Sequence, residues 1–175
     1  MTPATIRVLH WLVAASVLFL FISSWWMLSL PLPSENFSYR ELPFQLHKNI
    51  GISVLLLVVI MIAVRVRQRR LNPADSGSGL VRLVELDHVL TYLLLIACCA
   101  SGYLSSSFSG WGTSWWWLIE FPAWSEENDG LNLLFSDIHL WTCWALLAVI
   151  VLHISAALYH AFANDGALGK MFRLR

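Results

Sequence analysis

Four long apolar runs constrain the fold of this chain more than any other feature of its sequence. They cover residues 8–30, 44–64, 86–104 and 133–162, and each could cross about 30 Å of hydrocarbon as an α-helix. The chain is 58% hydrophobic and only 13% charged, whereas an average soluble domain is about 25% charged. The first run is also longer than the apolar region of a signal peptide. The sequence therefore predicts an all-α integral membrane protein, a four-helix bundle formed by one domain over residues 1–175.

The positions of the basic residues predict how this bundle is oriented in a membrane. Four spans place both termini on one side, together with the loop 65–82. Nine of the eleven Lys and Arg residues fall on that side, and only Arg40 and Lys48 on the other. Because cytoplasmic loops are enriched in Lys and Arg, we expect cytoplasmic termini and a multi-pass protein of the bacterial cytoplasmic membrane. The periplasmic loops then carry a formal charge of −5, while the whole chain is neutral; lipid is expected as a partner and nucleic acid is not.

Six histidines lie in or beside the apolar runs, where ionisable side chains are costly and usually functional. The predicted topology places them at two depths: His47 and His139 in the periplasmic half, and His10, His88, His153 and His160 in the cytoplasmic half. His139 and His153 belong to the same span and are fourteen residues apart. On an α-helix this spacing puts them on nearly one face, about 21 Å apart along the axis.

Paired histidines at matching depths predict haem binding. Two neutral imidazoles from different helices can hold one haem iron from both sides, which suits electron transfer. We therefore expect two haem b groups, one on His47 with His139 and one on His10 with His153. Cys98, Cys99 and Cys143 form no CxxCH motif, which excludes covalent c-type attachment. Zinc is an alternative, but structural zinc takes four ligands and the sequence shows no Cys or carboxylate at ligand spacing from these histidines.

Several residues near these histidines fit the same interpretation. Gly51 lies one turn after His47 on the same helix face, where a missing side chain would let a flat ring approach the backbone. Close helix packing is the alternative for this glycine. Arg7, Arg40 and Lys48 are expected near the cofactor edges, where they could pair with haem propionates or snorkel to the membrane surface.

The remaining features are expected to be structural. The loop 105–132 contains five tryptophans and no Lys or Arg, which predicts a segment that lies partly in the headgroup region. Cys98 and Cys99 are interpreted as small core residues.

A structural four-helix bundle without haem is a further alternative. It gives no reason for four histidines inside the membrane at two matched depths.

Several segments resemble the bacterial cytochrome b-561 family, which is related to the cytochrome b subunits of nickel-iron hydrogenases. They are LHWL around His10, HKNIGISVLL from His47, DHVLTYLLL around His88, and the fourth run with its two histidines fourteen residues apart and its tail HISAALYHAFANDGALGKMF. The resemblance covers essentially the whole chain. In that family one haem ligand comes from the first helix, one from the second and two from the fourth. It therefore implies the same four ligands: His10, His47, His139 and His153.

The resemblance also implies exchange of electrons with quinones. The leading hypothesis is a quinone-linked oxidoreductase that moves single electrons between a periplasmic donor and the ubiquinone or menaquinone pool. The donor would be superoxide, as described for some members, or a basic redox protein. His160 and His88 are the candidates for proton transfer and quinone chemistry, since histidine exchanges protons near neutral pH. The alternative is an anchor or electron-transfer subunit that docks a larger dehydrogenase, hydrogenase or periplasmic cytochrome c through residues 105–132.

Overall fold

Four helices account for most of the structure, a computed structural model that describes residues 3–30, 41–71, 79–110, 112–122 and 126–162. They are α1 (Pro3–Ser29), α2 (Glu41–Leu71), α3 (Gly79–Phe108) and α4 (Asp129–Phe162). Each contains a segment that is long and apolar enough to cross a membrane. The predicted four-helix membrane fold is therefore confirmed.

The helices are longer than the apolar runs from which they were predicted. α2 begins at Glu41, so that Pro43 lies in the first turn, where a helix does not need its N–H. It continues through the arginine-rich segment to Leu71, and Arg69 and Arg70 in its last turn favour the negative end of the helix dipole.

Packing follows chain order, with α1 against α2, α2 against α3, and α3 most extensively against α4. Within the described residues the backbone of α4 hardly approaches α1 or α2. Side chains, rather than closely packed backbones, therefore bridge between α4 and the α1–α2 pair. This is the space in which the histidine pairs lie.

A layer of apolar side chains fills the middle of the bundle. Its buried members are Val13, Val17, Val54, Val58, Met61, Leu95 and Leu146. Leu146 is only 2% exposed and lies seven residues from both His139 and His153. The outward faces instead carry large apolar side chains that are at least half exposed, as at Leu18 and Leu152. A lipid environment would solvate such surfaces, whereas water would not.

A small β-hairpin covers one end of the bundle. Its strands are β1 (Thr113–Trp115) and β2 (Ile119–Phe121), which pair antiparallel with Ser114 opposite Glu120. We call this the hairpin end. The opposite end is called the arginine end, because Arg69 lies there and its Nη2 atom pairs with Oε1 of Glu85 on α3 at 2.6 Å.

Hydrogen bonds attach the hairpin to one face of α2. The partners on α2 are Gln45, Lys48, Asn49 and Ser53. The backbone N–H of Trp116 donates to Oδ1 of the fully buried Asn49 at 2.9 Å. The indole N–H groups of Trp115 and Trp116 both donate to Oγ of Ser53 at 3.1 Å. Within the tryptophan-rich segment, which was expected to lie partly in the headgroup region, residues 113–121 thus form a cap on α2.

Candidate functional site

One histidine pair lies at the hairpin end. The rings of His47 on α2 and His139 on α4 have centroids 6.3 Å apart and planes inclined at 81°. Oγ of Ser24 lies 3.3 Å from Nδ1 of His47. Because the Ser24 hydroxyl donates its own proton to the Leu20 carbonyl at 2.6 Å, its oxygen accepts from the His47 Nδ1–H. The Nε2 lone pair of His47 is then available to a ligand.

The His139 ring is oriented by α3. Nδ1 of His139 lies 2.8 Å from the carbonyl oxygen of Cys98. A carbonyl can only accept, so Nδ1 of His139 carries the proton and Nε2 carries the lone pair. Hydrogen bonds of this kind fix the tautomer and the orientation of histidines that bind metals.

The second histidine pair lies at the arginine end. The ring centroids of His10 on α1 and His153 on α4 are 6.1 Å apart, with planes inclined at 44°. Nδ1 of His153 donates to Oδ2 of Asp87 on α3 at 2.6 Å. His88 is a third member of this group, with its ring centroid 5.7 Å from that of His153. Nδ1 of His88 donates to the carbonyl of Val84 at 2.6 Å, one turn earlier on α3.

Both pairs have the separation that a haem iron requires. Each bond from an imidazole nitrogen to a metal is about 2 Å long, so two rings on opposite sides of one iron have centroids roughly 6 Å apart. The observed separations of 6.3 Å for His47 with His139 and 6.1 Å for His10 with His153 agree with this value. The residues present therefore fit two sites for an iron with two histidine ligands.

Two glycines shape the hairpin-end site. A Cβ atom added to Gly51 would meet nothing within 4 Å, so the helix face one turn from His47 is open. A Cβ atom added to Gly102 would lie 3.0 Å from the His139 ring. Gly102 therefore allows the His139 ring to lie directly against the backbone of α3.

Two other residues predicted for the site lie on α1 and α2, and two predictions fall wholly or partly outside the described residues. Nζ of Lys48 donates to the carbonyl of Gly112 at 3.2 Å, so this lysine attaches the hairpin to α2. Arg7 is half-buried on α1, one turn before His10. Arg40 lies outside the described residues, as does the side chain of His160, whose backbone belongs to α4.

The expectation that no cysteine supports the histidines was wrong. Cys98, His139 and Cys143 form a group whose possible ligand atoms all lie within 4.8 Å of one another. The two Sγ atoms are 3.1 Å apart, and each lies 3.7 Å from a ring nitrogen of His139. Spacing would have revealed part of this group, because Cys143 follows His139 by four residues on the same helix face.

Sequence reasoning also missed the residues that orient the paired histidines. Ser24, Asp87 and Gly102 all lie on a different helix from the histidine they contact. No spacing within one run indicates such a contact. Asp87 had one available signal, since it is an acidic residue in an apolar segment and such residues usually have a partner.

The fold and the paired histidines define a class, a membrane four-helix bundle whose histidine pairs are suited to hold haem between helices. Comparison with known proteins agrees with it. The family described as prokaryotic cytochrome b561 matches residues 2–174. Cytochrome b561 homolog 2 of Escherichia coli (strain K12) is 32% identical over 164 residues, which are 93% of this chain and 86% of that protein. The chain belongs to the prokaryotic cytochrome b561 family and is accordingly a membrane electron carrier that binds haem b.

Proposed function

We propose that this protein holds two haem b groups, one between His47 and His139 and one between His10 and His153. The supporting observation is that two histidine pairs, at opposite ends of the bundle, have ring separations of 6.3 Å and 6.1 Å. When bound, haem with two histidine ligands supplies one-electron exchange between Fe(III) and Fe(II). His88 is kept outside the ligand set, because its 5.7 Å separation from His153 is shorter than that of either pair.

The chain prepares both sites in the same manner. Ser24, the Cys98 carbonyl and Asp87 each accept the Nδ1 proton of one histidine. Each contact holds a ring in place and leaves its Nε2 atom for the metal. Gly51 leaves room for a flat ring beside His47, and Arg7, Arg40 and Lys48 are proposed partners for propionates.

The apolar layer around Leu146 separates the two sites. His139 and His153 lie about 21 Å apart along α4, given a rise of about 1.5 Å per residue. Between them Val54, Val58 and Leu146 are almost completely buried. This layer keeps water and protons out of the centre of the bundle, so that charge crosses it as electrons.

The charge distribution supports an orientation of the bundle in the membrane. The arginine end is proposed to face the cytoplasm, with both termini there, because basic residues are enriched on that side of bacterial membrane proteins. The hairpin end would then face the periplasm. It carries acidic residues on the hairpin and at the start of α4, including Glu120 and Asp129. Such a surface attracts a basic redox protein and repels superoxide at long range.

Quinone is the proposed exchange partner in the membrane, with His88 and His160 as candidates for its protons. The role of His88 is supported by its contact with the His153 ring, while His88 itself is outside the proposed haem ligands. The protein would thus act as a quinone-linked oxidoreductase, with a basic periplasmic redox protein as electron donor and superoxide as the second candidate donor.

A second function is supported by the hairpin itself. Trp117 is 59% exposed and Leu118 is 83% exposed at its tip. An apolar tip of this kind could dock a larger dehydrogenase, hydrogenase or cytochrome c, and the protein would then connect that partner to the membrane. Purification from its native membrane in mild detergent distinguishes the two: a stoichiometric partner that is lost in Leu118→Glu supports docking.

Rapid anaerobic mixing tests the quinone reaction. Holoprotein reduced in liposomes is mixed with ubiquinone and, separately, menaquinone analogues, and its α band is followed. We expect the reduced band to disappear, and His88→Ala to slow this by about a hundredfold, as for loss of an acid–base group. Thr142→Ala, a partly exposed position on α4 whose hydroxyl donates to the Ile138 carbonyl of the same helix, is the control and should react normally. A band that stays reduced with both quinones contradicts the proposal; mixing oxidised protein with superoxide tests that donor in the same way.

A further inference from the structure

Two cysteine thiols meet inside the bundle at the hairpin-end site. Sγ of Cys98 on α3 and Sγ of Cys143 on α4 are 3.1 Å apart, and both thiols are free. A disulfide bond is about 2.05 Å long, so a movement of roughly 1 Å would join them. The third thiol, Cys99, points elsewhere and donates to the Gly51 carbonyl at 3.4 Å.

Close packing of α3 and α4 holds the two thiols together. Cys98 and Gly102 are one turn apart on α3, and His139 and Cys143 are one turn apart on α4. Gly102 brings the backbone of α3 against the His139 ring, and the same approach sets Cys98 beside Cys143. Residues so placed on two packed helices stay in contact without any rearrangement of the chain.

We propose that Cys98 and Cys143 are a redox site that forms a reversible disulfide within the membrane. In the oxidation, both S–H bonds break and one S–S bond forms between the helices. Two electrons and two protons leave together, and a quinone-class acceptor dissolved in the bilayer takes both to become a quinol. Such an acceptor is suited to this position, because both thiols lie in apolar helices that are long enough to cross the membrane.

Oxidation of the two thiols would change the surroundings of the His139 ring. Sγ of Cys98 is 3.7 Å from Nδ1 of His139, and Sγ of Cys143 is 3.7 Å from Nε2. Forming the disulfide removes both thiol protons next to this ring. This second consequence rests on the proposed function, since it requires His139 to be a haem ligand; formation of the disulfide does not.

The same three side chains could instead hold a soft metal ion such as Zn²⁺. His139 cannot offer Nε2 to haem and to that ion at once. Its Nδ1 is already engaged with the Cys98 carbonyl. The disulfide uses no atom of His139, so it is compatible with haem at the same histidine, and it is the reaction we assign.

Thiol counting on purified holoprotein tests the disulfide. Protein in detergent is treated anaerobically with decylubiquinone or with copper phenanthroline, quenched in acid, denatured and alkylated with N-ethylmaleimide. After reduction we expect three alkylated cysteines, and after oxidation only Cys99, with a peptide that links Cys98 to Cys143. In Cys99→Ser the link should still form. In Cys98→Ser and Cys143→Ser it should be absent.

Two results would contradict the proposal that Cys98 and Cys143 form a disulfide. One is that the native protein keeps three alkylated cysteines after both oxidants. The other is that it retains one zinc ion per chain, lost in Cys98→Ser, which would assign the cluster to a metal.

The effect on His139 has its own readout. Oxidation should shift the midpoint potential of one haem in native protein and in Cys99→Ser, but not in Cys98→Ser. If the disulfide forms but neither haem potential shifts, only the proposed coupling to His139 is contradicted. A protein that forms the disulfide but binds no haem would contradict the proposed function and leave the disulfide established.

Discussion

The two ends of the bundle present similar histidine pairs in different surroundings. At the hairpin end, the Nδ1 atoms of His47 and His139 face a serine hydroxyl and a backbone carbonyl, which are both neutral. At the arginine end, Nδ1 of His153 faces the carboxylate of Asp87 at 2.6 Å. One fold therefore presents two histidine pairs, one with a negative charge behind a ring and one without.

This difference would separate the redox potentials of the two proposed haem groups. An imidazole that donates to a carboxylate gives more electron density to its metal, which stabilises Fe(III) over Fe(II). We therefore expect the haem at the arginine end to have the lower potential from this cause. For electrons that enter at the hairpin end, this difference makes the step to the arginine-end haem uphill, and their removal by quinone would draw that step forward.

Replacing a proposed haem ligand at either end should have the largest effect, the loss of one haem group. His139→Ala is expected to remove the hairpin-end haem, and His153→Ala the arginine-end haem, because one remaining imidazole cannot hold the iron from both sides. The haem-to-protein ratio measured by pyridine haemochrome should fall by about half in each variant, and Thr142→Ala should leave it unchanged. Retention of full haem content in either histidine variant would contradict the assigned pairs.

A side chain at Gly102 should act on one end alone. A Cβ atom there would lie 3.0 Å from the His139 ring, so Gly102→Val pushes that ring out of place. We expect loss or a shifted absorption band of the hairpin-end haem, with overpacking that destabilises the fold by about 1–3 kcal/mol. Ala100→Val, on the exposed face of α3, is the matched control. Equal disturbance of both haem groups would show that Gly102 does not act through His139.

Asp87→Asn should reduce the difference in redox potential between the haem groups at the two ends. The amide can still accept from His153 Nδ1–H, but without a full negative charge Fe(III) is less stabilised. The potential of the arginine-end haem is expected to rise by about 60 mV, a tenfold change for a one-electron couple. Asp137→Asn, which is exposed at the hairpin end, provides the control in a spectroscopic redox titration. A rise in the other potential, or none at all, would place Asp87 outside this role.

Ser24→Ala should have the smallest effect. Its contact with His47 is long, at 3.3 Å, and neutral. We expect a change in the hairpin-end potential below about 30 mV, which is roughly a threefold change for a one-electron couple. Ser23→Ala is a close control, because the Ser23 hydroxyl donates to the same Leu20 carbonyl. A change as large as that of Asp87→Asn would mean that charge behind the ligand is not what distinguishes the two ends.

The sequence was sufficient to predict four apolar helices and histidines near two opposite ends of the bundle, because length, hydrophobicity and position along each run decide both. It predicted that His47 would meet His139 and His10 would meet His153, and the structure brings both pairs together. The rotation of each helix about its own axis could not be predicted, because runs that are apolar on all faces do not reveal which face points inward. Asp87, Gly102 and Cys98 act through α3, which contributes no proposed haem ligand, so their contacts became visible only in the packed bundle.

The hairpin was missed for a different reason. β1 and β2 have only three residues each, and the turn between them places Trp116 and Trp117 at φ of 50° and 57°. Bulky residues rarely adopt this conformation, so turn signals based on Gly, Asn and Asp do not identify it. Hydrogen bonds between the hairpin and α2, above all from the Trp116 N–H to Oδ1 of buried Asn49, stabilise a turn that local sequence preferences would not form.

The central claim is that one bundle holds two haem b groups with unequal surroundings. A pyridine haemochrome count combined with a spectroscopic redox titration of the purified native protein tests it most directly. The account predicts two b-type haem groups per chain and two resolved midpoint potentials, the lower of which responds to Asp87→Asn. A single haem per chain, or two groups whose potentials are both unchanged in Asp87→Asn, would contradict it.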